Sequence, residues 1–97
     1  MGGITFEWDP GKAAANLSKH RISFEEAITV FADPLGRIHV DPDHFEGEDR
    51  EIIVGHSSHG KLLLVAFTER RARIRLISAR PLRARTPLAI PSLPNRL

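Results

Sequence analysis

Between Glu69 and Arg80 the chain runs Glu-Arg-Arg-Ala-Arg-Ile-Arg-Leu-Ile-Ser-Ala-Arg, with a cation at nearly every second position. A β-strand turns successive side chains to opposite faces, so Arg73 and Arg75 are expected on one face while Ile74 and Leu76 fill the core behind. Two guanidiniums held about 7 Å apart on a rigid sheet suit a polyanion whose phosphates repeat at a similar distance. Arg70, Arg71 and Arg80 belong to the same cluster, and Arg83 and Arg85 follow it. Such an array also fits a solvated face near a sheet edge, where charge blocks unwanted strand pairing. Against that, the segment directly follows the most apolar one in the chain, which predicts an interior strand. Phosphate contacts from arginine explain why charge persists there.

Proton chemistry has fewer candidates. His20 follows Lys19 at the end of a predicted helix, and its imidazole can exchange protons near neutral pH, as RNA cleavage by a 2′-hydroxyl requires. A histidine at a helix C-terminus can equally do no more than meet exposed carbonyls. The stretch from His39 to Asp49 contains two histidines and five acids. It fails the calcium-loop pattern, because Phe45 and Glu46 stand fifth and sixth from Asp41 where the loop needs an oxygen ligand and then glycine. No His-Glu-x-x-His spacing exists and cysteine is absent, so an acidic loop is expected, with no metal and no cofactor. At its end, Glu48 and Arg50 are placed to point toward the sheet as an acid–base pair.

The elements that must position these groups belong to one domain of 97 residues, 41% hydrophobic and 27% charged. No apolar run approaches 18 residues and no export leader opens the chain, so a cytoplasmic location without a membrane is expected. The net charge of +2 hides a division: residues 1–60 carry five Lys and Arg against eleven Asp and Glu, whereas residues 61–97 carry nine against one. The two parts are thus −6 and +8, which favours an anionic partner for the basic part, or attraction between two copies in a homodimer.

Thr5 to Trp8 reads as a short opening strand. Asp9 is a predicted N-cap with Pro10 at the first helical position, and Ala13, Ala14 and Leu17 form a narrow apolar stripe on the helix that follows. Ser23 and Glu26 make a capping box for a second helix, whose buried face is Phe24, Ala27, Ile28 and Phe31 and which ends at Asp33-Pro34. Predicted strands then run over Arg37 to Asp41, Glu51 to Gly55, Lys61 to Thr68 and Arg73 to Ala79. The third is apolar throughout and so central. The order predicts an α+β domain over residues 1–80, with two N-terminal helices on one face of a twisted antiparallel sheet of about four strands. Prolines 81, 87, 91 and 94 make residues 81–97 a tail without a long helix.

In this arrangement the chain resembles the BrnT toxin family of type II toxin–antitoxin modules. The matching blocks are Phe-Glu-Trp-Asp at 6–9, Asn16, Lys-His at 19–20, Ser-Phe-Glu-Glu-Ala at 23–27 and Val-Phe-Ala-Asp-Pro at 30–34. They continue with Gly-Glu-Asp-Arg at 47–50, Thr-Glu-Arg at 68–70 and Ile-Arg-Leu-Ile-Ser-Ala-Arg at 74–80. The resemblance implies a RelE-like fold and a metal-independent endoribonuclease that arrests translation. It also implies a BrnA-like ribbon-helix-helix antitoxin as partner, which carries the toxin to operator DNA. By position it marks His20, Arg50, Glu69, Arg75 and Arg80 as catalytic candidates, with Lys19, Arg70 and Arg73 flanking them on RNA. Family members usually continue into a basic C-terminal helix where this chain has prolines. The resemblance therefore also allows a catalytically weak module that binds the antitoxin and acts in operon co-repression. Arg21 stands where glycine is common, which implies a left-handed residue or an altered turn at a cost of about 1 kcal/mol.

Overall fold

Leu62–Arg70 is the apolar segment of the chain, and it forms the middle strand of the sheet. The computed structural model describes residues 3–41 and 49–82. These form β1 (Thr5–Glu7), α1 (Pro10–His20), α2 (Phe24–Ile28), a 3-10 turn (Thr29–Ala32), β2 (Arg37–Val40), β3 (Arg50–His56), β4 (Leu62–Arg70) and β5 (Arg73–Pro81). The strand order is β1-β5-β4-β3-β2. β2 to β5 are the expected antiparallel meander, but the sheet has five strands rather than about four. β1 joins it parallel to β5, with Phe6 opposite Ile74. A parallel pair needs a long crossover, here supplied by both helices and the meander itself.

The helices cover one face. Phe24, Ala27 and Val30 pack on Ile53, Leu63, Val65, Phe67, Ile74, Leu76 and Ala79, all buried. Phe31 links β1 to β4, its ring centroid 5.2 Å from Phe6 and 5.0 Å from Phe67. The expected second helix is only five residues of α-helix before it tightens into the 3-10 turn. The capping box forms by half: Ser23 Oγ accepts from the Glu26 N–H at 3.0 Å. The Glu26 carboxylate turns inward instead, accepting from Ser57 Oγ at 2.7 Å in the β3–β4 turn.

The apolar stripe expected on α1 also differs. Ala13 packs inward, but Ala14 and Leu17 are exposed and the buried residue is Asn16. Its amide is needed where β1 ends and the edge of β5 lies open, as the bonds to Ala79 show. Arg21 takes the left-handed conformation, φ 62°, and its N–H closes α1 on the Leu17 carbonyl at 2.9 Å. β5 runs on through Pro81, and the Leu82 N–H bonds the Leu62 carbonyl at 2.8 Å. The remainder of the expected tail, residues 83–97, lies outside the described residues, as do residues 42–48 of the acidic loop with Glu48.

Candidate nucleic-acid interface

The face of the sheet away from the helices carries the cations. Register fixes its rows, because residues directly opposite on paired strands point to the same side. Glu7, Arg75, Thr68 and Arg50 form one row across β1, β5, β4 and β3. Arg80, Leu64, Val54 and Arg37 form another, across β5, β4, β3 and β2.

Arg75 and Arg80 are five residues apart, an odd spacing that sends side chains to opposite faces in a regular strand. A bulge corrects the parity. Leu76 pairs with Phe67 but Ser78 with Ala66, so Ile77 is inserted in β5 and Arg80 returns to the face of Arg75. The two rows are four β4 residues apart, about 13 Å at strand rise. Arg50 is at the β3 end of the first row. It lines a cavity of about 170 Å³ with Arg75, Thr68 and Lys12, and another of about 250 Å³ with Arg80, Ser78 and Asp41.

Arg73 and Arg75 share one face as alternation requires, and both hold the same carboxylate. Each Nη1 lies 3.4 Å from an oxygen of Glu7. The side chains are 64%, 46% and 34% exposed for Arg73, Arg75 and Glu7, so these pairs stabilise the free chain by at most about 1 kcal/mol each. A phosphate can therefore replace the carboxylate at little expense. Arg70 is opposite Arg73 at the end of the same face.

Other candidates stand elsewhere. Glu69 is opposite Ile74, a core residue, so its side chain belongs to the helix-side face, yet it lines a cavity with Arg50 as well as Glu51, Val40 and Arg71. His20 and Lys19 lie in the last turn of α1, and neither lines the cavities of the open face. Arg50, Arg75 and Arg80 thus share a face with Arg70 and Arg73, Glu69 meets Arg50 alone among them, and His20 and Lys19 stand apart.

Glu7 was missed by sequence reasoning as a site residue. The alternation of Thr5, Phe6, Glu7 and Trp8 carries the signal: with Phe6 and Trp8 packed against the core, Glu7 must face the other way. What the sequence lacks is the neighbour, because pairing of β1 with β5 is non-local.

At the far end of the face, Asp33 Oδ2 accepts from the His56 N–H at 2.7 Å and Oδ1 from the Leu35 N–H at 2.9 Å. These bonds hold its carboxyl below the ordinary carboxylate range, with the His56 imidazole 3.6 Å away adding to the effect. Among the described residues no group of three or more His, Cys, Asp or Glu side chains is arranged to hold a metal ion. No helix among them is long and apolar enough to cross a membrane.

A family model described as "Ribonuclease toxin, BrnT, of type II toxin-antitoxin system" matches residues 8–85. Among solved structures, the chain is similar to the 1.1 Å crystal structure of the Brucella abortus ribonuclease toxin, BrnT. The TM-score is 0.64 at 17% identity, covering 82% of this chain and 97% of that one. At that identity the likeness speaks to the fold. No individual curated protein matches the sequence.

Proposed function

The chain belongs to the BrnT family of ribonuclease toxins of type II toxin–antitoxin systems, and from this premise we propose that its open sheet face binds and cuts RNA. The observation that carries the reading is the bulge at Ile77, which puts Arg80 on the same side as Arg75 and Arg50. Arg50 lines one depression with Arg75 and the adjoining one with Arg80, so guanidiniums on one face can meet a phosphodiester that gains charge as it becomes a phosphorane.

In this reading the phosphate draws Arg75 away from Glu7, freeing the carboxylate beside the attacking ribose. Glu7 takes the proton of the 2′-hydroxyl as its oxygen bonds phosphorus and the bond to the 5′-oxygen breaks. Lys12, lining the same cavity, gives a proton to the departing 5′-oxygen. The products are a 2′,3′-cyclic phosphate and a 5′-hydroxyl, and no step calls on a metal. Arg70 and Arg73 hold neighbouring phosphates. Cleavage of this kind in a cell arrests translation, and the antitoxin that restrains it is a ribbon-helix-helix protein that carries the pair to its operator.

The test is incubation of the purified chain with RNA in excess EDTA, followed by end analysis. Fragments ending in cyclic phosphate are expected. Intact RNA, or cleavage only after a divalent ion is restored, would refute the mechanism. One observation favours a second reading: Glu7 occupies both Arg73 and Arg75 in the free chain. If it stays there in the presence of RNA, the protein is an antitoxin-binding module acting in operon co-repression. Tight antitoxin binding with RNA left intact at micromolar concentration would identify that case.

A further inference from the structure

A cavity of about 690 Å³ lies at the β2 end of the open face. Its volume falls in the range of small-molecule sites. Leu62, Leu64, Val54 and Leu82 form an apolar floor, and His39, His56, Arg37 and Arg80 stand around it. Register places Arg80, Leu64, Val54 and Arg37 in a single row, so two guanidiniums bracket two apolar side chains across three strand spacings, about 14 Å. The groove's acid, Asp33, has both carboxylate oxygens occupied by backbone N–H groups of His56 and Leu35. Asp33 keeps its charge, but two guanidiniums against one carboxylate leave the groove net positive.

We infer that this groove seats an unstacked nucleobase of single-stranded RNA, with its flanking phosphates on Arg80 and Arg37. The inference rests on the RNA reading of the arginine face and extends it to base recognition. Continuity argues for a nucleotide over an acidic peptide. The groove shares Arg80 and Leu64 with the depression that holds Arg50, so one RNA strand can run from Arg75 through Arg80 to Arg37 without leaving a basic track. A flat apolar floor with imidazoles at its margin suits the face of a base, and a base splayed from a single strand can enter as one in a duplex cannot. A phosphate at Arg80 would thus be fixed from both sides, by cleavage chemistry on one and by a seated base on the other.

The test uses the full chain and a 2′-O-methyl RNA oligonucleotide, which binds but cannot be cut. Abasic versions scan the missing base along the strand, and methyl NMR signals of Val54, Leu62, Leu64 and Leu82 are followed. One abasic position is expected to weaken binding about tenfold, the size of one lost base contact, and to abolish the methyl shifts. Equal affinity for every abasic oligonucleotide would overturn the inference. So would methyl signals that move with an acidic peptide but not with RNA. Cleavage by a chain that is indifferent to abasic sites would remove the groove and leave the ribonuclease. Base-dependent binding without cleavage would do the reverse.

Discussion

The side-chain amide of Asn16 pairs with the backbone of Ala79 as a neighbouring strand would. Nδ2 donates to the Ala79 carbonyl at 2.8 Å, and Oδ1 accepts from the Ala79 N–H at 3.0 Å. Nδ2 also donates to the Ile22 carbonyl at 2.9 Å, tying the loop after α1 to the same point. A single buried amide thus finishes an edge that the three residues of β1 leave open. Asn16→Ala orphans buried backbone groups and is expected to destabilise the chain by about 3 kcal/mol, read as a lower urea midpoint. A change under about 0.5 kcal/mol would show that water replaces the amide.

Glu7 and Glu69 stand on opposite faces of the sheet. With Glu7 as base, Glu7→Gln lowers the cleavage rate about 100-fold while RNA binding holds or tightens, because Arg73 and Arg75 are released. Glu69→Gln, on the helix-side face, leaves the rate near wild type. The reverse ranking, measured as single-turnover rates and affinities, would move the base to Glu69.

Asp33 ties the 3-10 turn to β3, and its lowered pKa makes that tie pH-dependent. A carboxyl that ionises more easily folded than unfolded stabilises the fold above its unfolded value of 3.8 and loses that contribution as pH falls through the lower folded value. Asp33→Asn is therefore expected to melt below wild type at neutral pH, with the gap closing below pH 3.8. A gap that stays constant to strongly acid pH would mean that the charge plays no part.

The β4–β5 turn is strained by its residue types. Arg71 and Ala72 both have positive φ, 48° and 68°, the geometry of a two-residue hairpin that favours Asn-Gly. Ala72→Gly is expected to raise stability by about 0.5 kcal/mol, after the added freedom of the unfolded chain is offset. A lower thermal midpoint would mean that the Ala72 methyl packs usefully.

Much of the meander was legible in the sequence because its signals are local. The unbroken apolar run of β4, the alternation around Ile74 and Leu76, and the Ser23 cap each act within a few residues. What escaped is non-local or depends on parity. Thr5 to Trp8 reads as a strand, but nothing in it says that β5 is its partner, so its place in the sheet and the contact of Glu7 with Arg75 were invisible. The pattern at 73–80 was read as one regular strand, yet Arg75 and Arg80 share a face only through the bulge at Ile77. Asn16 falls outside the expected stripe of Ala13, Ala14 and Leu17, because an amide looks polar until its backbone partners are known.

The arginine face is tested most directly by single-turnover cleavage of a short RNA by Arg75→Ala, Arg80→Ala and, as a control, Arg71→Ala, which changes an exposed turn residue. Loss of a guanidinium that contacts the transition state lowers the rate about 100-fold or more, so Arg75→Ala and Arg80→Ala should each fall by that factor while Arg71→Ala stays within a few-fold of wild type. Equal, small losses in all three would mean that the arginines supply only general attraction, and that the chemistry is done elsewhere on the molecule.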